Sequence, residues 1–228
     1  MIPVLGVPIL NRPDLLDKML ASIDVPVGRT VIVDNGEVVD SRDRATVICP
    51  GHNLGVAASW NLVIRTTPDA PWWAMVNFDL VFAPGDLARL AEHMDASIGP
   101  LGMVALLGTF SAFGIDRAAI DRAGLFDENL YPAYMEDNDF DYRCRLAGVP
   151  MAGLPAGLSH DISSTIRSSD AYRRENARTF PLNAAYYQEK WGGPPRSEVF
   201  TTPFNAGGDL RSWRLDLNRI AAQSWKKE

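Results

Sequence analysis

The chain has 228 residues, 46% hydrophobic and 22% charged, enough to bury one sizeable core and too apolar for an intrinsically disordered protein. A formal net charge of −6 argues against a general nucleic-acid or anionic-membrane binder, while a local pocket for an anionic ligand stays compatible with it. With Cys49 and Cys144 as the only cysteines, neither a disulfide framework nor a cysteine-rich zinc site is expected, and the expected location is a reducing cytoplasm.

The N-terminal run IPVLGVPI lacks a basic lead and a cleavage-like site, and it reads as a buried strand. Next come a helical PDLLDKMLASI, the strands RTVIVDN and ATVICP, a helical GVAASWNLVIRTT, the strand run WWAMVNFDLVF and a helical PGDLARLAEHMD. This alternation predicts an α/β fold: an open, mostly parallel sheet with helices on both faces. Glycines and polar residues interrupt GPLGMVALLGTFSAFGI, so no integral membrane segment is expected. The stretch from Met103 to Leu130 predicts two strands and a short helix, and VPMAGLPAGLSHDISS a strand or two ending at His160. Residues 165–193 read as helical, broken at Pro181. A Pro/Gly-rich connector then leads to a final amphipathic helix from Asp209, whose Leu210, Trp213, Leu217 and Ile220 recur at helical spacing. Two uses are open for that stripe, docking on the body of the protein and homo-oligomerisation. The expected division is 1–165 and 166–228.

The densest charge lies in YMEDNDFDYRCRLAG, residues 134–148. A helix capped near Asp137 and running to about Leu146 explains part of it: Phe140 and Cys144 share a stripe, Asp139 and Arg143 pair four residues apart, and Gly148 stops the helix. Asp139 and Asp141 are then mainly helix electrostatics. Glu136 and Asp137 are different. They fall at a loop-to-helix junction after the aromatic approach LYPAYM, a place that holds carboxylates rigidly at a sheet rim, as acid–base chemistry requires.

In open α/β sheets ligands bind outside the carboxyl ends of the strands. The polar residues ending the expected strands are Asn11 and Arg12, then Asp34 and Asn35, then Asn77 and Asp79. Taken singly, each has a structural reading: Asp34-Asn35-Gly36 as a turn, Asn53 to Gly55 as a helix entry, Asn77 to Asp79 as a strand end, His160 as a satisfied histidine. Together they would line one rim, which the separate structural readings do not predict.

The ordered set VPILNRPDLL, VIVDNGE, NLGVAASWN, MVNFDLVFAPGDL, the long block GTFSAFGIDRAAIDRAGLFDENLYPAYMEDNDFDYRCRLAG and LSHDISS resembles the GT-A glycosyltransferases, particularly the large inverting group that includes bacterial rhamnosyltransferases. The resemblance runs from about Pro3 to His160. It implies a metal-assisted, inverting transfer of a sugar from a nucleoside-diphosphate sugar to an acceptor glycan, lipid-linked sugar or protein hydroxyl. Pro8, Asn11, Arg12 and Asp34 would hold the nucleoside, and Asn53, Gly55 and Trp60 would lie along the nucleotide-sugar. Asn77 stands where the Asp-x-Asp element has its first carboxylate, leaving Asp79, with His160, to bind a divalent cation, Mn²⁺ or Mg²⁺. Asp137 would be the general base and Glu136 would orient the acceptor.

The rivals are weaker on the residues. A sugar-phosphate nucleotidyltransferase calls for a glycine-rich phosphate loop where PILNRPDLL has no glycine, and a haloacid-dehalogenase-like phosphatase needs an Asp where Gly36 stands. A nucleotide-sugar-binding protein without catalysis would have little use for Asp137, Asp79 and His160 together.

Overall fold

In chain order the strands and helices alternate as the hydrophobic pattern predicts: β1 (Ile2–Ile9), α1 (Pro13–Ala21), β2 (Val27–Asp34), β3 (Ala45–Ile48), α2 (Gly55–Thr66), β4 (Trp72–Val76), β5 (Leu80–Val81) and α3 (Asp86–Asp95). The second half adds β6 (Met103–Leu106), β7 (Ala112–Asp116), α4 (Arg117–Ala123), α5 (Glu136–Leu146), β8 (Met151–Leu154), β9 (Ser159–His160), α6 (Ser164–Arg167) and α7 (Asp170–Trp191). This computed structural model describes residues 1–41, 43, 45–95 and 102–207, and the expected amphipathic helix from Asp209 lies outside them.

Seven strands form one sheet in the order β3-β2-β1-β4-β7-β6-β8. β1 pairs in parallel with β2 and β4, β2 with β3, and β6 with β8, while β7 alone runs against its neighbours β4 and β6. The nearly continuous apolar character of β1, β2 and β4 follows from burial on both faces. On one face Val7, Ile9 and Ile32 pack with Leu16 and Met19 of α1 and Leu87 and Leu90 of α3. On the other, Val4, Val33 and Met75 pack with Trp60 and Val63 of α2, Ile120 of α4 and Phe140 of α5. No helix of the described residues is long and apolar enough to cross a membrane. Cys49 and Cys144 are free, the first exposed and the second buried.

α5 runs from Glu136, capped by Met135 and not by Asp137, and ends before Gly148. Asp139 and Arg143 pair at 2.8 Å as their spacing predicts. Asp139 is nevertheless not a surface helix charge. It is fully buried, accepting from Arg143, from Lys190 at 2.6 Å and from the Trp191 indole at 2.8 Å, and Lys190 also reaches Asp127 at 2.7 Å. Lys190 and Trp191 come from the end of α7, about fifty residues away in sequence, so local spacing shows only Arg143 among the partners of Asp139. Burial pushes the Asp139 carboxyl up, but the charges of Lys190 and Arg143, with hydrogen bonds from Lys190 and Trp191, outweigh it and hold it below the usual carboxylate range.

α7 also corrects an expectation, because it continues through Pro181 without a break. Pro181 and Ala177, whose carbonyl loses its helical partner to the ring, are both exposed, so the lost bond falls on the solvent side of the helix. Buried Thr179 and Asn183 anchor the helix on either side of the proline. The expected division at 165/166 falls within α6.

Candidate active site

A cavity of about 350 Å³ opens outside the carboxyl ends of β1, β2 and β4, at the position of Ile9, Asn35 and Asn77. The strand-end residues meet there unequally. Pro8 lines the cavity, but Asn11 and Arg12 do not. Asn11 donates to the Ser168 hydroxyl at 2.7 Å and accepts from that of Thr165 at 3.1 Å, tying the loop after β1 to α6. Arg12 takes a left-handed backbone (φ 59°) at the start of α1 and pairs with Asp14.

Asp34 is fully buried and turned into its own loop, accepting from the backbone N–H of Val39 at 2.7 Å and of Gly36 at 3.2 Å. It is not part of the lining; Asn35 is. The Asn35 amide accepts from Leu54 N–H at 2.8 Å and donates to Ser59, clamping the start of α2. Both belong to the Asp-Asn-Gly turn that the sequence marks, but turn chemistry alone does not say which side chain points outward.

Asn53 and Gly55 line the cavity, and Asn53 accepts from Gly55 N–H at 2.9 Å. The close approach at Gly55 is to protein: at φ 76°, a Cβ there would come within 2.7 Å of the Pro132 carbonyl oxygen, and Val56 N–H donates to that same oxygen at 2.8 Å. Gly55 therefore lets α2 press on the loop leading to α5. Trp60 is a core ring with its centroid 5.2 Å from that of Phe113 and 4.8 Å from that of Phe126, and it borders the cavity. Its buried Nε1 has no hydrogen-bond partner among the described residues.

Asp79 and His160 are brought together by the antiparallel pairing of β5 with β9, in which Leu80 stands opposite His160. His160 Nε2 lies 3.1 Å from Asp79 Oδ1, and Ser164 donates to Asp79 Oδ2 at 2.7 Å. Asn77 also lines the cavity, its backbone N–H held by Ser111 O at 2.8 Å.

Glu136 and Asp137 project from the start of α5 into the same space. The approach is strained: Tyr134 and Met135 both have φ of 75°, in the left-handed region that side chains disfavour. Asn183 of α7 holds it by donating to the carbonyls of Ala133 at 2.9 Å and Tyr134 at 3.2 Å. Glu136 is buried, and its Oε2 has no hydrogen-bond partner among the described residues. Burial, with the neighbouring charge of Asp137, pushes the Glu136 carboxyl well above its usual range. Burial also raises Asp137, offset in part by hydrogen bonds from the backbone N–H of Asn138 and its own. Sequence reasoning passed over Tyr134, Tyr172, Glu175 and Asn176, which complete the lining from the loop before α5 and from α7. Their spacing carries no motif.

No protein-family model matches the chain. A Leishmania donovani galactofuranosyl glycosyltransferase is 27% identical over 132 residues, 48% of this chain and 30% of that protein, so the chain spans about a third of that relative's length. Among solved structures, S. aureus TarS 1-349 in complex with UDP-GlcNAc superposes with a TM-score of 0.57 at 14% identity, over 81% of this chain and 66% of that one. In another TarS 1-349 structure the chain spans 58% of the longer protein. Glucosyl-3-phosphoglycerate synthase from Mycobacterium tuberculosis, in complex with Mn²⁺, UDP and phosphoglyceric acid, superposes with a TM-score of 0.53 at 15% identity, covering 80% and 78% of the two chains. The catalytic domain of Drosophila β1,4-galactosyltransferase 7 in complex with xylobiose gives 0.53 at 15% identity, over 77% and 79%. At such identities the likeness is one of fold.

That fold is GT-A. In the GT-A frame of this chain, the carboxyl ends of the parallel strands, the join of β5 and β9 at Asp79 and His160, and the first turns of α5 and α7 all line the cavity.

Proposed function

We propose that the chain is an inverting glycosyltransferase of the rhamnosyltransferase-like kind, moving a sugar from a nucleoside-diphosphate donor to an acceptor hydroxyl with the help of a divalent cation. The observation that carries this reading is one cavity that joins a carboxylate–imidazole pair, Asp79 with His160, to a raised carboxyl, Asp137, on an opposing helix. The UDP-bound GT-A neighbours support a uridine nucleotide as the first donor to try.

The pair fits a cation. Adjacent ligands in an octahedron with bonds of about 2.1 Å stand about 3.0 Å apart, and Asp79 Oδ1 and His160 Nε2 are separated by 3.1 Å. Among the described residues no group of three or more His, Cys, Asp or Glu is arranged to hold a metal, so donor phosphate oxygens and water would complete the shell. Charge makes the same demand. The lining carries Asp79, Glu136, Asp137 and Glu175 and, among the described residues, no Lys or Arg, so a diphosphate needs a counter-charge the lining does not supply. A cation held by Asp79 and His160 would stabilise the negative charge that develops on the leaving diphosphate, and the imidazole favours Mn²⁺ over Mg²⁺. With Asn77 in place of a second carboxylate, the chain contributes one carboxylate where the Asp-x-Asp form contributes two.

The remaining steps belong to residues of this chain. Asp137 accepts the proton of the acceptor hydroxyl as its oxygen attacks the anomeric carbon from the face opposite the diphosphate, and a raised pKa makes it a stronger base than an exposed aspartate. Glu136 accepts or donates one hydrogen bond to hold the attacking sugar. Residues 1–165 carry the donor-binding and catalytic residues, and the part from 166 onward contributes α7, which lines the cavity through Tyr172, Glu175 and Asn176. The test is calorimetry of the full chain with UDP and UDP-sugars, with and without Mn²⁺, followed by a transfer assay. Donor binding strengthened by Mn²⁺ and followed by turnover supports the reading. Binding without turnover in any donor and acceptor combination would reduce the chain to a nucleotide-sugar binder.

A further inference from the structure

We propose that the acceptor is an uncharged sugar, seated where α7 and the loop before α5 form the cavity wall, against Tyr134, Tyr172, Glu175 and Asn176, and that this wall rejects phosphorylated acceptors. The proposal rests on the glycosyltransferase reading of the same cavity and names its second substrate by class.

Charge is the first ground. The Asp79–His160 side of the cavity suits a diphosphate accompanied by a cation, but the α7 side offers a second anion no Lys or Arg among the described residues of the lining. Glu175 and Asn176 line it, and their side chains make no hydrogen bond to another described residue. The arginines of α7 lie outside the lining: Arg173 is engaged by Asp170 and by the carbonyl of Arg167, and Arg174 and Arg178 are exposed. The field of Glu175 is felt in the protein itself, since the half-buried Tyr131 hydroxyl is pushed up to about 12 by burial and then by that charge. A phosphate placed there would meet the charges of Glu175 and Asp137 in a partly desolvated space.

The second ground is Glu136. Glu136 borders the cavity and its buried Oε2 has no partner among the described residues, and such an atom is costly unless a ligand satisfies it. A sugar hydroxyl both donates and accepts, so it serves a protonated and an ionised Glu136 alike, whereas a phosphate dianion offers acceptors only. The third is shape chemistry. Tyr134 stands edge-to-face with Phe180 at 5.6 Å, and with Tyr172 it gives rings that pair an apolar face with a polar tip, matching the C–H face and hydroxyl rim of a pyranose or furanose.

The full chain, loaded with Mn²⁺ and the nucleoside diphosphate that titrates best, is probed on an array of neutral, sulfated and phosphorylated glycans, and each hit is measured by saturation-transfer NMR beside its 6-phosphate. The expected hits are neutral, with the 6-phosphate bound at least tenfold more weakly. Glu175→Lys, at an unchanged melting temperature, narrows that ratio at least tenfold, and Asn176→Ala weakens the neutral ligand several-fold. Equal or tighter binding of phosphorylated glycans by the native chain overturns the proposal, as does a ratio indifferent to Glu175→Lys. Binding of the diphosphate with no glycan bound at all overturns it too while sparing the donor reading. Failure of every nucleoside diphosphate to bind removes both.

Discussion

Glu136 and Asp137 are neighbours in sequence, yet burial separates their roles: the first is enclosed with an unpaired oxygen, and the second is hydrogen-bonded by Asn138 N–H at 2.8 Å. If Asp137 is the general base, Asp137→Asn lowers transfer by about two to four orders of magnitude, with melting temperature and UDP affinity retained. Turnover of the native chain rises with pH through a carboxyl pKa above the ordinary range, because burial lifts Asp137, and this limb vanishes in Asp137→Asn. Glu136 behaves in the opposite way. Its folded-state pKa is raised above the unfolded value, so its stabilising contribution is fully present below the unfolded pKa of about 4.3 and is lost as pH rises through the folded one. Glu136→Gln keeps the neutral shape and lacks that loss. Its melting temperature therefore gains on the native chain as pH rises, by about 2–4 °C for each kcal/mol relieved, while turnover stays within tenfold. Thermal scans from pH 4 to 9 check the sign. A gain that shrinks with rising pH would show that Glu136 is charged and paired in the folded protein.

At the scale of elements, the join between α5 and α7 carries the site. Asp139, Lys190, Asp127 and Trp191 form a buried set of ion pairs and hydrogen bonds, and Asn183, one helical stretch earlier, holds the strained approach to Glu136. Removing one member of a buried pair leaves the others uncompensated and costs about 3–5 kcal/mol. Asp139→Asn is thus expected to lower the melting temperature by on the order of 10 °C, a larger structural effect than Asp137→Asn, with any loss of turnover following the loss of fold. The sign with pH follows from the depressed pKa: the contribution of Asp139 is present above the unfolded carboxylate pKa and lost as pH falls through the folded one, so the native chain and the variant converge in acid. Urea melts of both proteins at pH 7 and pH 3 measure this. Gly55→Ala tests the other contact of the same loop, since a Cβ would meet the Pro132 carbonyl oxygen at 2.7 Å. At φ 76° the substitution is strained and destabilises by more than about 1 kcal/mol, and it displaces the loop that leads to Asp137.

For the whole molecule, ligand linkage is the broadest check. A ligand that binds only the folded chain stabilises it by about 2.7 kcal/mol at a hundred times its Kd, which for a chain of this size is about 5–10 °C. UDP with Mn²⁺ is expected to reach that shift, UDP with a chelator to fall short of it, and Asp79→Ala to lose the Mn²⁺ increment while keeping the remainder. Equal shifts with and without the cation would leave the fold and the cavity intact and remove the metal from the proposal.

The alternation of apolar runs with amphipathic ones was enough to predict the sheet with its helices, because strands covered on both faces and helices covered on one leave different periodicities in the chain. The Asp139–Arg143 pair and the end of α5 before Gly148 were legible for the same reason: each is settled within a turn or two of helix. The resemblance in the long block ending at Gly148 pointed to GT-A, and the superpositions agree with it. Pairings across long sequence separations left no local trace. Asp79 meets His160 through β5 and β9, and Asp139 meets Lys190 through α7, so only the folded chain separates a buried ionic anchor from a surface charge. Orientation was equally hidden. Asp34 and Asn35 occupy the same turn, and hydrogen bonds from Gly36 and Val39 turn the aspartate inward and leave the amide to face the cavity. Tertiary anchoring by Thr179 and Asn183 likewise carries α7 through Pro181, where local propensity alone ends the helix.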